Sequence, residues 1–467
     1  MIEKEKLEKI AGASNVSYDR AKLDEYSRDI SFVNTVRPEC VVKPTSTKIV
    51  QQLIKLANTT STPLVPVSSG GPHFRGDTVP SIGGAVIVDM SKMNKIINVD
   101  RARRVAMVEP GVTFGELIAA ATKEGIRLNL PLLPKKSKTV IGSLLEREPV
   151  IMPKYQWDIS DPLACVEVIF GSGDEFRTGQ AAGPGTVAQQ WKVGGVQKAP
   201  YGPGVASLHR IIQGSQGTMG IVTWASMRCE LIPNVEEPFV VGADNYTDLL
   251  DLASWLVRLR MANECFILNS TNLAAIFAKK WPKDYQALKD SLPAWILFYN
   301  VAGYEYFPEE RVSSYISDIT DITKRMGLTA TKSVGGVSAN EILKTVQQPS
   351  EEPYWKLRYK GGCEDIMFLT INDKLECQVA AMYDTVKKAG YPSSDMGVYI
   401  QPIVQGTGVH CEFNLFYDPA NESEVSRVKN LTNSAVKALL ANGAFFSRPY
   451  GENSKVIMNR DAATLSV

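Results

Sequence analysis

Metal-binding and disulfide patterns are missing from this chain of 467 residues. Its seven cysteines (Cys40, Cys165, Cys229, Cys265, Cys363, Cys377 and Cys411) include no CxxC pair, and their number is odd. That argues against a disulfide framework and against an iron–sulfur cluster held by these residues; single buried thiols are expected. No apolar run reaches the ~18 residues that a membrane span needs. The first residues, MIEKEKLEKIAG, are charged and amphipathic and hold no apolar signal-peptide core, so a cytoplasmic location is expected. An excess of either charge is also missing. The 51 Lys and Arg against 50 Asp and Glu leave a net charge of +1, with no pull toward nucleic acid or a membrane surface.

One local absence stands out. From Arg177 to Cys229 there is no Asp or Glu, while Arg177, Lys192, Lys198, Arg210 and Arg228 are present among Gly, Pro and Gln. Such a stretch suits a wall facing an anionic ligand, or a subunit contact; loop composition alone is the plainer account.

What is present reads as an α+β protein. TSTKIVQQLIKLANTT places Ile49, Leu53, Ile54 and Ala57 at helical spacing behind Ser46 or Thr47 as N-cap. TPLVPVSS, GGAVIVDMSKM and RVAMVEPG read as short buried strands. Thr113 caps a helix that stops at Gly125. Beyond Pro233 the texture changes to long amphipathic helices alternating with the strands AWILFYNVAGYE, GVYIQPIVQ and VHCEFNLFYD. That rhythm predicts an antiparallel sheet covered by helices on one face, after a boundary near Pro233–Pro238.

Glycine runs are the first chemical signal, because backbone N–H groups without a Cβ in the way converge on phosphate oxygens. PVSSGGPH follows a strand, and GSQGTMGIVT is spaced G-x-x-G-x-x-G. GPGTVA, Gly183–Ala188, matches GxGxxA, but no acidic residue lies ~20 positions on to take a ribose, which argues against a Rossmann site. Taken singly, each run is more simply a tight turn.

Taken in order they are more specific. VKPTSTKIVQQLIKLA, PVSSGGPH, GGAVIVDMSKMNKIINVD, AMVEPGVTFGEL, KTVIGSLL and GSQGTMGIVT, over roughly residues 38–232, resemble the FAD-linked oxidase domain of the vanillyl-alcohol oxidase and p-cresol methylhydroxylase family. WKVGGVQKAPYGPGVASLHRIIQGSQGTMGIVT looks most like its alkylphenol-oxidising branch. The resemblance implies a two-subdomain FAD-binding domain (1–232), an α+β cap with an antiparallel sheet (233–440), and a C-terminal segment (441–467) returning toward the flavin. It implies FAD as cofactor. Ser68, Ser69, Gly70, Gly71 and Pro72 match the pyrophosphate loop. Pro134, Thr139, Gly142 and Ser143 match the second loop along the cofactor. Gly214, Gly217, Gly220, Ile221 and Val222 match the final glycine turn and strand at the adenine–ribose side. Some relatives attach FAD covalently through a histidine just after such a glycine pair; here Pro72 precedes His73, and the alternative is a histidine that hydrogen-bonds the loop or the phosphates.

On the substrate side, period-two alternation puts His410, Glu412 and Asn414 on one face of a strand, and Tyr399 and Gln401 on one face of another. Such a polar face either meets solvent or roofs the flavin. In the second case His410 or Tyr399 serves as base or oxyanion partner, with Glu412 orienting His410. Arg448 suits a carboxylate or phenolate, and Tyr450 would hydrogen-bond the same group. With one histidine in the cap, no metal is expected. The family usually closes with Asp-Pro and Asn-Pro-Gly-Lys; this chain stops at Val467, in mid-helix, before such a segment, so it is either incomplete or a natural variant.

The resemblance implies an FAD-dependent dehydrogenase or oxidase acting on an alcohol, 2-hydroxy acid or alkylphenol, with electrons passed to a separate acceptor protein or subunit in a homo- or hetero-oligomer. The rival is an FAD-bearing electron-transfer or assembly subunit without its own substrate, docking through the acid-free stretch. A further rival is a cofactor-free scaffold, suggested by LEREPVIMPKYQWDISD, where the family carries more glycine.

Overall fold

The computed structural model describes residues 3–153, 161–201 and 208–459. Part of LEREPVIMPKYQWDISD, part of the stretch resembling the alkylphenol branch, and the chain end at Val467 lie outside them.

Three sheets organise the chain. The first runs Val16–Ser17, Cys40–Val42, Val86–Asp89, Leu64–Val67, the last three parallel. Helix Thr47–Thr60 crosses between two of these strands. Ser46 caps it by accepting from the Ile49 N–H, and Val50, Leu53, Ile54 and Ala57 form its buried stripe. That helix also meets the second sheet: Val50 and Ile54 pack with Ile169 and Ile221, and the Gln51 amide donates to the Gly173 carbonyl at 2.8 Å.

The second sheet is antiparallel, in the order Ile96–Asp100, Val105–Val108, Gly220–Leu231, Leu163–Phe170, Glu175–Arg177. Ile126–Leu128 pairs with the outer half of Gly220–Leu231. Helices Phe114–Lys123 and Val140–Glu146 fill its core side. The first begins with a full capping box between Thr113 and Glu116.

The chain then passes into a seven-stranded antiparallel sheet: Ala330–Thr331, Val235–Ala243, Trp295–Gly303, Cys265–Asn269, Met396–Ile403, Gly408–Tyr417, Gly362–Thr370. Helices Tyr246–Arg258, Pro308–Arg325, Asn372–Lys388 and Glu422–Ala441 cover one face, packed on Ile267, Leu297, Val398, Cys411, Phe413 and Leu415 among others. The expectation of a sheet covered on one face is corrected here. Its second face is buried as well, under the short helices Ser270–Phe277, Ala339–Val346 and Trp355–Arg358 and under Leu132, Leu133 and Ile151. The polar alternation along Gly408–Tyr417 therefore marks a buried network: His410, Glu412 and Asn414 are 1%, 7% and 0% exposed. All seven cysteines are free, and only Cys377 is exposed.

Candidate active site

Three loops converge at the end of strand Leu64–Val67. Its continuation, Ser68–Pro72, meets the start of helix Val140–Glu146. The Thr139 hydroxyl lies 2.8 Å from Ser68 Oγ and 3.1 Å from Ser69 Oγ, and the Thr139 N–H donates to Ser69 Oγ at 3.1 Å. Gly142 makes this knot possible: a Cβ there would sit 2.9 Å from Thr139 Oγ1 and 3.3 Å from each serine oxygen. Lys135 braces the loop from below, donating at 2.7 Å to the carbonyls of both Gly70 and Pro72. Burial and the nearby Lys138 lower its pKa to about 8. The third loop approaches through Gly217, whose Cβ would lie 3.1 Å from Pro66 Cγ. Beside it, the Gln216 amide donates to the Pro449 carbonyl at 2.8 Å, tying this turn to the C-terminal segment.

Past this knot lies a chamber of about 100 Å³. His73, Phe74, Arg75, Lys138 and Glu148 line it from the loop side, and Tyr354, Lys356, Asp365, Tyr399, Glu412 and Arg448 from the cap side. Its charges form an alternating chain. Lys138 is 2.8 Å from Glu146 and 3.3 Å from Glu148; Arg75 is 3.1 Å from Glu146, 3.7 Å from Glu148 and 3.8 Å from Asp365. Lys356 closes it at 2.6 Å from Asp365 and 2.5 Å from Glu412. Asn414 donates to both of those carboxylates, and Asn272 donates to Asn414. Burial alone would raise Glu148 and Glu412; the cations beside them, Lys138 and Arg75 for the first and Lys356 for the second, hold them below the usual carboxylate range.

Arg448 is the exception. It is 7% exposed, its Nε and Nη1 have no hydrogen-bond partner, and it enters no ion pair among the described residues. Burial, then repulsion from Arg75, lowers its pKa. Glu148, Glu146 and Glu412 offset part of that cost from beyond ion-pair distance, so the chamber wall carries a buried guanidinium without a direct ion-pair partner among the described residues.

An FAD-binding-domain family model matches residues 38–179. The 4-cresol dehydrogenase [hydroxylating] flavoprotein subunit of Pseudomonas putida is 25% identical over 457 residues, covering 91% of this chain and 83% of that one. A glycolate oxidase subunit of Bacillus subtilis is 28% identical, over 50% of this chain and 45% of its own length. The crystal structure of p-cresol methylhydroxylase with substrate bound superposes with a TM-score of 0.79 at 23% identity, covering 99% of this chain and 90% of that one. The chain carries an FAD-binding domain and has the fold of p-cresol methylhydroxylase. FAD is its cofactor, and it is an FAD-dependent oxidoreductase.

The residues present fit FAD on their own chemistry. Hydroxyl donors gather at Ser68, Ser69 and Thr139 over a glycine that a Cβ would fill, with the half-buried Lys135 ammonium beneath. The Ser143 hydroxyl donates to Glu148 at 2.7 Å, away from the knot. Gly220, Ile221 and Val222 are sheet residues: a Cβ at Gly220 would lie 2.3 Å from the Ile169 carbonyl, and Ile221 and Val222 are core. Gly214 donates its N–H to the Leu145 carbonyl. Pro134 and His73 line the chamber, and burial followed by Lys135 lowers the His73 pKa to about 4.

On the substrate side, Tyr399, Glu412 and Arg448 share the chamber. His410 stands behind it, its ring 5.6 Å from that of Tyr399 and its Nε2 3.5 Å from Glu412; burial keeps it neutral. Tyr450 faces the far side of the wall, where its hydroxyl donates to the Asp365 main-chain carbonyl and lies 3.3 Å from the Glu364 carboxyl. Arg75, Lys138, Glu148, Lys356 and Asp365 escaped sequence reasoning. The available signals were Arg75 following the glycine loop and Asp365 lying opposite Asn414 in the strand register.

Proposed function

We propose that this FAD-linked oxidase oxidises an alcohol, a 2-hydroxy acid or an alkylphenol, with the electrons passed to a partner protein or subunit. Bound FAD supplies the hydride acceptor at N5. The unpartnered Arg448 guanidinium carries the reading: it holds the carboxylate or phenolate oxygen and fixes the substrate against the cofactor. The proton lost from the substrate oxygen falls to the chamber's ionised carboxylate, Glu412, with neutral His410 3.5 Å behind it. This exchanges the roles expected from sequence, since Glu412 faces the chamber and His410 backs it. Lys356 keeps Glu412 ionised until substrate arrives. The cresol-oxidising relative is itself a flavoprotein subunit, which supports a separate electron acceptor. Six buried, unpaired thiols support the cytoplasm as the location.

The test is an absorption spectrum of the purified protein before and after acid precipitation, then anaerobic addition of one representative of each substrate class. Flavin bleached by one class and not by the others identifies the substrate. Flavin that binds but is bleached by none favours the electron-transfer subunit instead.

A further inference from the structure

Tyr399 and Gln401 project from the same face of strand Met396–Ile403 and are 4% and 0% exposed. The Gln401 side-chain nitrogen donates to the main-chain carbonyls of Cys265 and Pro402 at 2.8 and 3.1 Å. Those carbonyls can only accept, so the amide cannot be turned round, and its oxygen is the end that meets Tyr399. That oxygen, too, can only accept. The Tyr399 hydroxyl, 2.8 Å away, therefore gives its single hydrogen to Gln401. No group among the described residues donates to the Tyr399 oxygen in return. Tyr399 forms part of the chamber wall, directly across the strand register from Glu412. The charges acting on its hydroxyl are the chamber's own: Glu412, Lys356 and Arg448. Its unused lone pair belongs to the chamber.

We infer that Gln401 is a positioning residue that fixes the Tyr399 hydroxyl as a hydrogen-bond acceptor, so that the chamber takes the reacting hydroxyl of the substrate by its hydrogen and gives no such hold to the carbonyl of the product. The inference rests on the function proposed above and adds the basis on which substrate and product are told apart. An alcohol, a 2-hydroxy acid or a neutral phenol brings an O–H. Oxidation moves a hydride from carbon to the flavin and the hydroxyl proton to Glu412, and C=O is left at the same oxygen. The carbonyl has no hydrogen to offer, and its oxygen faces the Tyr399 lone pair. A site built to bond an O–H rejects the analogue lacking one, because its own polar group is then left unpaired. In this role Tyr399 accepts from the substrate, where the sequence suggested a base or an oxyanion partner.

The experiment compares alcohol and carbonyl pairs on the FAD-loaded protein: benzyl alcohol with benzaldehyde, mandelate with benzoylformate, and 4-hydroxybenzyl alcohol with 4-hydroxybenzaldehyde. For the pair whose alcohol bleaches the flavin, the readout is the ratio of the product's inhibition constant to the substrate KM, with ferricyanide as electron acceptor. In the wild type this ratio is expected to be at least about ten. Gln401→Leu releases the hydroxyl to turn and donate into the chamber, and is expected to lower the ratio by at least about tenfold through tighter product binding. Gln401→Glu, held neutral by burial and still able to accept from Tyr399, is expected to keep the wild-type ratio.

A wild-type ratio near one, an unchanged ratio in Gln401→Leu, or the same fall in Gln401→Glu overturns the inference. Should Gln401→Leu not fold, Tyr399→Phe decides: it is expected to lower the ratio through weaker substrate binding, and an unchanged ratio overturns the inference. A flavin that none of the three alcohols bleaches overturns the proposed function itself, an outcome distinct from a bleached flavin with an unchanged ratio.

Discussion

A Cβ atom at Gly397 would sit 1.9 Å from the side-chain oxygen of Asn272. That missing carbon lets Asn272 reach across the sheet to Asn414 at 2.8 Å, and Asn414 in turn orients Asp365 and Glu412 at 2.6 and 2.7 Å. Gly397→Ala pushes Asn272 aside and leaves buried amide groups unpaired. The expected cost is about 1–3 kcal/mol, read by urea unfolding, together with a fall in kcat as the chamber carboxylates lose their fixed geometry.

Two glycines of the cofactor loops should behave differently. A Cβ at Gly71 meets nothing closer than His73 Cδ2 at 3.9 Å, whereas one at Gly142 lies 2.9 Å from Thr139 Oγ1. Gly71→Val is therefore expected to fold with wild-type stability, and any loss of FAD reports the approach of the ligand alone. Gly142→Ala is expected to lose both FAD and some stability, because it displaces the hydroxyl knot. The ratio of flavin to protein absorbance, measured beside the melting temperature, separates the two. A Gly71→Val protein that purifies with full FAD would show that the diphosphate does not pass this loop.

Much of the fold was legible because its signals are local. Ser46 and Thr113 announce their helices through caps that need only the next three residues. The alternation along Gly408–Tyr417 correctly sorted His410, Glu412 and Asn414 from Cys411, Phe413 and Leu415. Periodicity sorts side chains by face, however, and does not say what that face meets. The second covered face, and the partnership of Arg75 with Asp365, depend on segments far apart in the chain. No local period records that Lys356 stands between Asp365 and Glu412, so the charged chain lining the chamber was invisible until the sheets were assembled.

Glu364 makes stability depend on pH in a direction opposite to ordinary salt-bridged carboxylates. Its folded pKa is raised from 4.5 to about 8. Between those values the folded state keeps a proton that the unfolded state has lost, so stability falls as pH rises and levels off above about pH 8. Glu364→Gln removes that slope. The variant is expected to gain on the order of a few kcal/mol relative to wild type on going from pH 5 to pH 8, checked by denaturant unfolding at the two values. Parallel pH dependence in wild type and variant would place the ionisation elsewhere.

Arg448 should trade stability against function. A buried guanidinium without a direct ion-pair partner is costly, and its lowered pKa expresses that cost even with Glu148, Glu146 and Glu412 opposing it from a distance. Arg448→Leu is expected to raise the stability of the protein by about 1–2 kcal/mol while leaving the cofactor loops untouched, so the variant remains yellow. Its substrate KM is expected to rise or its kcat to fall by at least tenfold, since a charge-assisted contact to the substrate anion is worth about 1.5–3 kcal/mol. A small anion such as benzoate should protect the wild type against thermal unfolding and leave the variant unprotected. Unchanged kinetics on the substrate that bleaches the flavin would remove Arg448 from the binding site, and the chamber would then have to recognise its substrate through Tyr399 and Lys356 instead.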